Sequence, residues 1–183
     1  MKSTPILSFQ ELTLRPLVPA DLEEYYRLGF AEEDAEVMRL TGTTQHFSKE
    51  QVAAYLRRIE RDETRYDFLI LHGDALLGEI VLNEIDAAAG SAGFRIALFR
   101  SADCGRGVGQ KAMSLLFAFA FETLRLKQIE LEVLSFNPRA RHVYEKLGFR
   151  PGQVLPGAYT VDGEAVDALV MTLTPADFRS VLP

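Results

Sequence analysis

A chain of 183 residues, 48% hydrophobic and 25% charged, has the balance of one globular domain and can bury roughly 70% of the surface its unfolded form exposes. Its 20 basic and 26 acidic residues give a net charge of −6, which argues against nucleic acid as the main partner and mildly favours a cationic one such as an amine. A single cysteine excludes an internal disulfide and a cysteine-rich metal site, and the longest apolar run, residues 115–121, is far too short to span a bilayer. The expectation is one cytoplasmic domain over residues 1–183, with no signal region and no membrane segment.

Residues 1–9 read as a loose lead-in, and 11–17 alternate apolar and polar residues, as a strand does. Pro19-Ala20-Asp21 opens a helix with Leu22, Tyr25, Tyr26 and Gly29 on one side. Ser48 and Gln51 fit a capping box, starting a second helix to about residue 63 with Val52, Tyr55, Leu56 and Ile59 as its apolar face. Residues 67–71 and 75–82 flank the turn His72-Gly73-Asp74, and a third strand, 94–99, follows a small-residue loop over 87–93. Over 108–124, Ala112, Met113, Leu116, Phe117, Ala120 and Leu124 recur at helical spacing, so that helix packs on the sheet. Residues 127–134 read as a strand and 138–146 as a short helix capped by Asn137 and stopped by Gly148. Residues 159–161 and 165–173, joined by Asp162-Gly163, form a closing hairpin. The order β-α-α-β-β-β-α-β-α-β-β predicts a mixed α/β sheet of seven strands.

The stretch Cys104-Gly105-Arg106-Gly107-Val108-Gly109-Gln110-Lys111 lies between a strand and a long helix. Glycines let an anion approach main-chain N–H groups, and a helix N-terminus adds unpaired N–H groups and partial positive charge, so the loop suits phosphate. Its spacing fits neither the dinucleotide fingerprint, whose third glycine position holds Gln110, nor the Walker pattern, since Ala112 stands where Ser or Thr is required. That counts against an ATP- or NAD-dependent enzyme. The alternative reading of the loop is a glycine-rich turn capping a buried helix.

One strand downstream stands Asn137-Pro138-Arg139-Ala140-Arg141-His142-Val143-Tyr144-Glu145-Lys146-Leu147-Gly148-Phe149. The two stretches together resemble the GNAT superfamily of N-acetyltransferases. Its acetyl-CoA loop, [Gln/Arg]-x-x-Gly-x-[Gly/Ala], is matched by residues 104–109 except at Cys104. Its later segment, Asn-x-x-Ala-x-x-x-Tyr-x-x-x-Gly-Phe, is matched by Asn137, Ala140, Tyr144, Gly148 and Phe149. The resemblance covers roughly residues 10–173. The opening Leu12-Thr13-Leu14-Arg15-Pro16-Leu17 and the late Asp162-Gly163-x-x-x-Asp167 look most like the RimJ/RimL-type branch, which also resembles spermidine acetyltransferases.

The resemblance implies a mostly antiparallel sheet splayed between strands 94–99 and 127–134, with the pantetheine arm of acetyl-CoA in the gap. Main-chain groups near Leu98, Phe99 and Arg100 would pair with that arm. Amides of Gly105, Arg106, Gly107, Val108, Gly109 and Gln110 would hold the pyrophosphate. Asn137 would contact the pantetheine, cap its helix, or do both. Tyr144 would protonate the departing sulfur, and the Leu98 N–H would be the oxyanion donor. Acetyl transfer also needs a neutral amine, and Glu79, Glu84 and Glu132 are the candidate bases, none of them in the position common among RimJ/RimL relatives. Cys104 reads as a small buried thiol rather than a nucleophile, and Arg106 as a phosphate contact or a solvated side chain. Tyr25, Tyr26, Phe30 and Phe47 either shape an acceptor pocket or pack as core. Asp167 either contacts the acceptor or ties the last hairpin. No metal is expected, because His46, His72 and His142 lack ligand spacing.

The implied activity is direct acetyl transfer to a primary amine of a protein N-terminus, polyamine, amino acid or antibiotic. A non-catalytic acyl-CoA-binding sensor is the rival. The partner expected is a small-molecule or peptide amine, and the resemblance also suggests a homodimer through the late strands.

Overall fold

Short turns that only small or left-handed residues can make set the register of one eight-stranded sheet in the computed structural model, which describes residues 4–183. The strands are β1 (Leu7–Phe9), β2 (Leu12–Pro16), β3 (Tyr66–His72), β4 (Ala75–Asp86), β5 (Ser91–Leu98), β6 (Gln128–Leu134), β7 (Arg150–Val161) and β8 (Glu164–Leu173). Their spatial order is β1-β2-β3-β4-β5-β6-β8-β7, and every neighbouring pair is antiparallel except β5 and β6. The helices are α1 (Leu22–Tyr26), α2 (Ala35–Thr41), α3 (Lys49–Ile59), α4 (Val108–Ala118) and α5 (Pro138–Lys146). Mixed α/β architecture with a mostly antiparallel sheet is what the sequence predicted.

Three elements differ most from the expectation. The lead-in contains β1, which turns into β2 at Gln10, a residue with φ 54°. Glutamine seldom takes that conformation, so nothing in the sequence marks the turn. The last hairpin is much longer than its Asp-Gly turn suggested, because β7 begins at Arg150. Pro151 and Pro156 disguise it, and β7 tolerates them as an edge strand whose register with β8 slips at both places. Finally, α2 lies in a stretch read as a connection. Asp34 caps it by accepting from Glu36 N and Val37 N, and Gly42 at φ 69° ends it.

The sheet carries a core on each face. On one, α4 and α5 cover Phe68, Ile80, Leu82 and Phe94, with Phe117 packed 4.9 Å edge-on to Phe94 and 5.5 Å from Phe149. On the other, α1 and α3 bury Tyr25, Val52, Leu56 and Ile59 against Leu69 and Phe99. Beyond β5 and β6 the sheet continues only through β8 and β7, so that seam decides where a ligand can enter.

Candidate active site

The parallel pair β5–β6 is zipped for only three residues, Ser91↔Gln128, Ala92↔Ile129 and Gly93↔Glu130, and then opens. The Phe99 N–H donates to Leu77 O at 2.8 Å, on the β4 side. Backbone groups alternate along a strand, so the Leu98 and Ile96 N–H groups point away from β4, into the opening. Leu98 is therefore where an added strand would find a donor. Phe99 is not: its N–H is spent on β4 and its ring is buried beside Tyr25. Arg100 is still extended, so by the same alternation its N–H faces away from β4 as that of Leu98 does. Its carbonyl accepts from Asp103 N, and its guanidinium pairs with Glu32 at 2.6 Å.

A cleft of about 1220 Å3 runs from the glycine loop through this gap to the sheet face under α1–α3. At one end Gly105 and Gly107 have φ of 78° and 81°, and α4 makes its first internal bond from Lys111 N to Gly107 O. The amides of Val108, Gly109 and Gln110 thus have no helical acceptor, and Gly105, Gly107, Gly109 and Gln110 line the cleft. Arg106 points elsewhere, exposed and 3.7 Å from Asp103. The cation over the loop is Arg139 of α5, whose guanidinium occupies the space that a side chain at Gly105 would need. It is in no ion pair among the described residues. Sequence reading passed over Arg139 because it sits at an unspecified position of the motif.

Tyr144 reaches the same cleft from α5, its ring 6.4 Å from Phe94 and 5.7 Å from Phe149. Burial pushes its phenol up to about 12, and the hydroxyl has no hydrogen-bond partner among the described residues. Asn137 lines the cleft with its amide already engaged: Oδ1 accepts from Ala140 N at 3.0 Å, and Nδ2 donates to Leu40 O at 3.4 Å. Burial also pushes the Cys104 thiol up, against a thiolate role.

On the α1–α3 face the cleft floor is polar. Glu79 is only 6% exposed; it accepts from the Tyr25 hydroxyl at 2.5 Å and pairs with Arg95 at 2.8 Å. Arg95 also donates to the Tyr55 hydroxyl at 2.8 Å, and Tyr55 donates to Asp67, which Arg65 grips at 2.7 Å. Burial, then Glu79, drives the Tyr25 phenol far up, while Glu79 raises Arg95. Glu79, one of the candidate bases, is thus a buried glutamate in a satisfied network. Across the gap stand Glu130, accepting from Gln128, and Glu132, accepting from the Tyr159 hydroxyl at 2.8 Å. On the near side, Glu84 lines the cleft from the β4 bulge at φ 49°. Phe30 and Phe47 line the cleft and also pack on each other, ring centroids 6.0 Å apart. Asp167 bonds Gly157 N at 2.8 Å, tying the last hairpin.

Helix α2 straps the open end of the gap. Asp34 accepts from Ser101 N and Oγ, both at 2.8 Å, as well as from the first amides of α2. Those bonds, Ser101 first, hold its carboxyl down to about 2. A carboxyl depressed below its unfolded value stabilises the fold above about pH 4, and that contribution fades as pH falls towards 2. Asp34→Ala should therefore cost about 1 kcal/mol at pH 7. Urea unfolding at a series of pH values should show the gap between variant and parent closing below about pH 4.

The sequence profile of the family described as "Acetyltransferase (GNAT) domain" matches residues 11–150. The probable N-acetyltransferase YjcK of Bacillus subtilis is 27% identical, the match covering 94% of this chain and 98% of that protein. The spermidine N(1)-acetyltransferase of Escherichia coli is 25% identical over 91% of this chain and 87% of its own length. The crystal structure of spermidine N-acetyltransferase from Vibrio cholerae, solved with CoA and spermine, superposes with a TM-score of 0.83 at 24% identity, covering 92% of this chain and 98% of that one.

Proposed function

The chain belongs to the GNAT acetyltransferase family, whose members use acetyl-CoA, and we propose that it moves the acetyl group directly to the primary amine of a small acceptor, with Tyr144 serving the departing sulfur. One observation carries this reading. The opening between β5 and β6 joins the glycine loop, the free Leu98 N–H, Tyr144 and a polar acceptor face in a single cleft.

The residues present suit the cosubstrate. Acetyl-CoA supplies an activated thioester and a pyrophosphate. The amides of Gly107, Val108, Gly109 and Gln110, with Arg139 above Gly105, form a cradle for the pyrophosphate that a Cβ at Gly105 would fill. Leu98 offers its N–H to developing negative charge on the acyl oxygen. Tyr144 donates to the sulfur. With its pKa near 12 the phenol holds its own proton, so transfer to a thiolate runs uphill unless the proton is replaced from the attacking nitrogen. Glu84, Glu130 and Glu132 are the carboxylates available to the incoming amine, whereas Glu79 is committed to Arg95 and Tyr25. Within the family we place the chain in the RimJ/RimL-type branch, on the strength of its opening 12–17 motif.

Thermal unfolding with acetyl-CoA, CoA, ATP and NAD tests the reading. A ligand at about 100 times its dissociation constant adds about 2.7 kcal/mol, or roughly 5–10 °C for a chain of this size. A shift with the CoA species, followed by thiol release in an amine screen, is the expected result. No shift with CoA, or a larger one with ATP or NAD, overturns it.

A further inference from the structure

Building on the acetyltransferase reading, we propose that the acceptor is a zwitterion, a small amine that also carries a carboxylate, and that Arg95 binds that carboxylate while Glu132 and Glu130 draw the amine to the thioester. Arg95 is on β5, and its side chain is 47% exposed towards the cleft although its guanidinium is pinned at two points, Glu79 Oε1 and the Tyr55 hydroxyl, each at 2.8 Å. A guanidinium has more N–H donors than those two contacts use, arranged as a fork that matches a carboxylate. Being held already, it loses little freedom when it binds.

The pinning groups are themselves expensive. Glu79 is buried and needs Tyr25 as well as Arg95 to satisfy it, and Tyr55 is fixed by Arg65 and Asp67. For stability alone, apolar residues of similar volume would serve as well as such a buried ionic network. What the network achieves is a rigid cation at the floor of the cleft.

Arg95 offers its unused donors from a wall where its charge is matched by Glu79, and the opposite wall carries only carboxylates among its charged lining residues. Gly93 is in register with Glu130 where β5 and β6 still pair. Two residues further on, past the last paired residue, Arg95 and Glu132 share the face of Gly93 and Glu130 on the two sides of the opening. Both glutamates line the cleft, and the partners of their carboxylates are uncharged, Gln128 and Tyr159. A cation and two anions thus flank the gap through which the thioester is reached. An amino acid matches that arrangement end for end. A polyamine would set a second ammonium against Arg95.

Thiol release from acetyl-CoA with L-lysine, L-lysinamide and spermidine decides it. Lysine should exceed lysinamide at least tenfold in kcat/KM, the worth of about 1.4 kcal/mol. Arg95→Lys keeps the charge beside Glu79 but loses the fork, and Arg95→Met loses both. Each should lower kcat/KM for lysine at least tenfold more than for lysinamide, through KM, while the CoA-induced thermal shift persists. Because Arg95→Lys leaves Glu79 paired, it answers the question even if Arg95→Met does not fold. Preference for spermidine, equal loss on lysine and lysinamide, or no turnover with lysine despite a CoA shift overturns the zwitterion and leaves the acetyltransferase reading standing. Absence of any CoA shift overturns both.

Discussion

Replacing Tyr144 by Phe is expected to lower kcat by about 100-fold or more while the CoA-induced thermal shift stays within error, because a positioned proton donor contributes roughly 10² to 10⁴ in rate. The ring seat is apolar, between Phe94 and Phe149, and Phe fills it without the hydroxyl. That hydroxyl bonds to no described residue, so its loss leaves no partner unsatisfied and stability should hardly change. The substitution therefore separates chemistry from folding. It also fixes the pH dependence. With the phenol at about 12, no descending limb from Tyr144 should appear below about pH 11, and kcat/KM should rise with pH only as the acceptor amine loses its proton. Unchanged kcat in the variant would remove Tyr144 from the chemistry, whereas a falling limb near pH 9–10 that disappears with the substitution would keep Tyr144 as the acid and overturn only its raised pKa.

Gly148→Ala should be the most damaging small substitution for stability, about 2–4 kcal/mol, or a fall of roughly 5–15 °C in Tm. Gly148 has φ 102°, where a residue with a Cβ is strained, and the added methyl would overlap the Asp177 carbonyl and press on Leu173. The first obstacle is backbone, so it cannot swing aside as a long side chain would. Moving it unseats the segment after β8, which is anchored by Arg179 N on Leu147 O and by Phe178 packed on Phe117 and Phe121. The same glycine turns the chain from α5, which carries Tyr144, into β7. Calorimetry of the variant with and without CoA measures the cost, and a loss below about 1 kcal/mol would mean that the segment after β8 yields freely.

Much of this was legible because it is local. The capping box at Ser48, the turns at Gly73 and Asp162-Gly163, and the helical spacing from Ala112 to Leu124 each act over a few residues, and each appears where its chemistry requires. The glycine loop and the Asn137–Phe149 segment work the same way: backbone conformation and helix ends write themselves into short stretches. Sequence reading failed where a local rule was broken or a neighbour was distant. Gln10 turns the chain without glycine, Pro151 and Pro156 sit in a strand that only its edge position allows, and Arg139 finds Gly105 only after α5 docks beside α4.

By itself, then, the sequence determined the order of the elements from β3 onward, the phosphate-suited loop and Tyr144 on its helix, since propensity, capping and glycine conformation are properties of a few adjacent residues. Tertiary structure alone decided the acceptor face. Tyr25 meets Glu79 from 54 positions away and Tyr55 meets Arg95 from 40, brought together by the β4–β5 pairing and by α1 and α3 packing over it. No local pattern records such partners, because burying a carboxylate is affordable only once the fold has assembled everything that satisfies it.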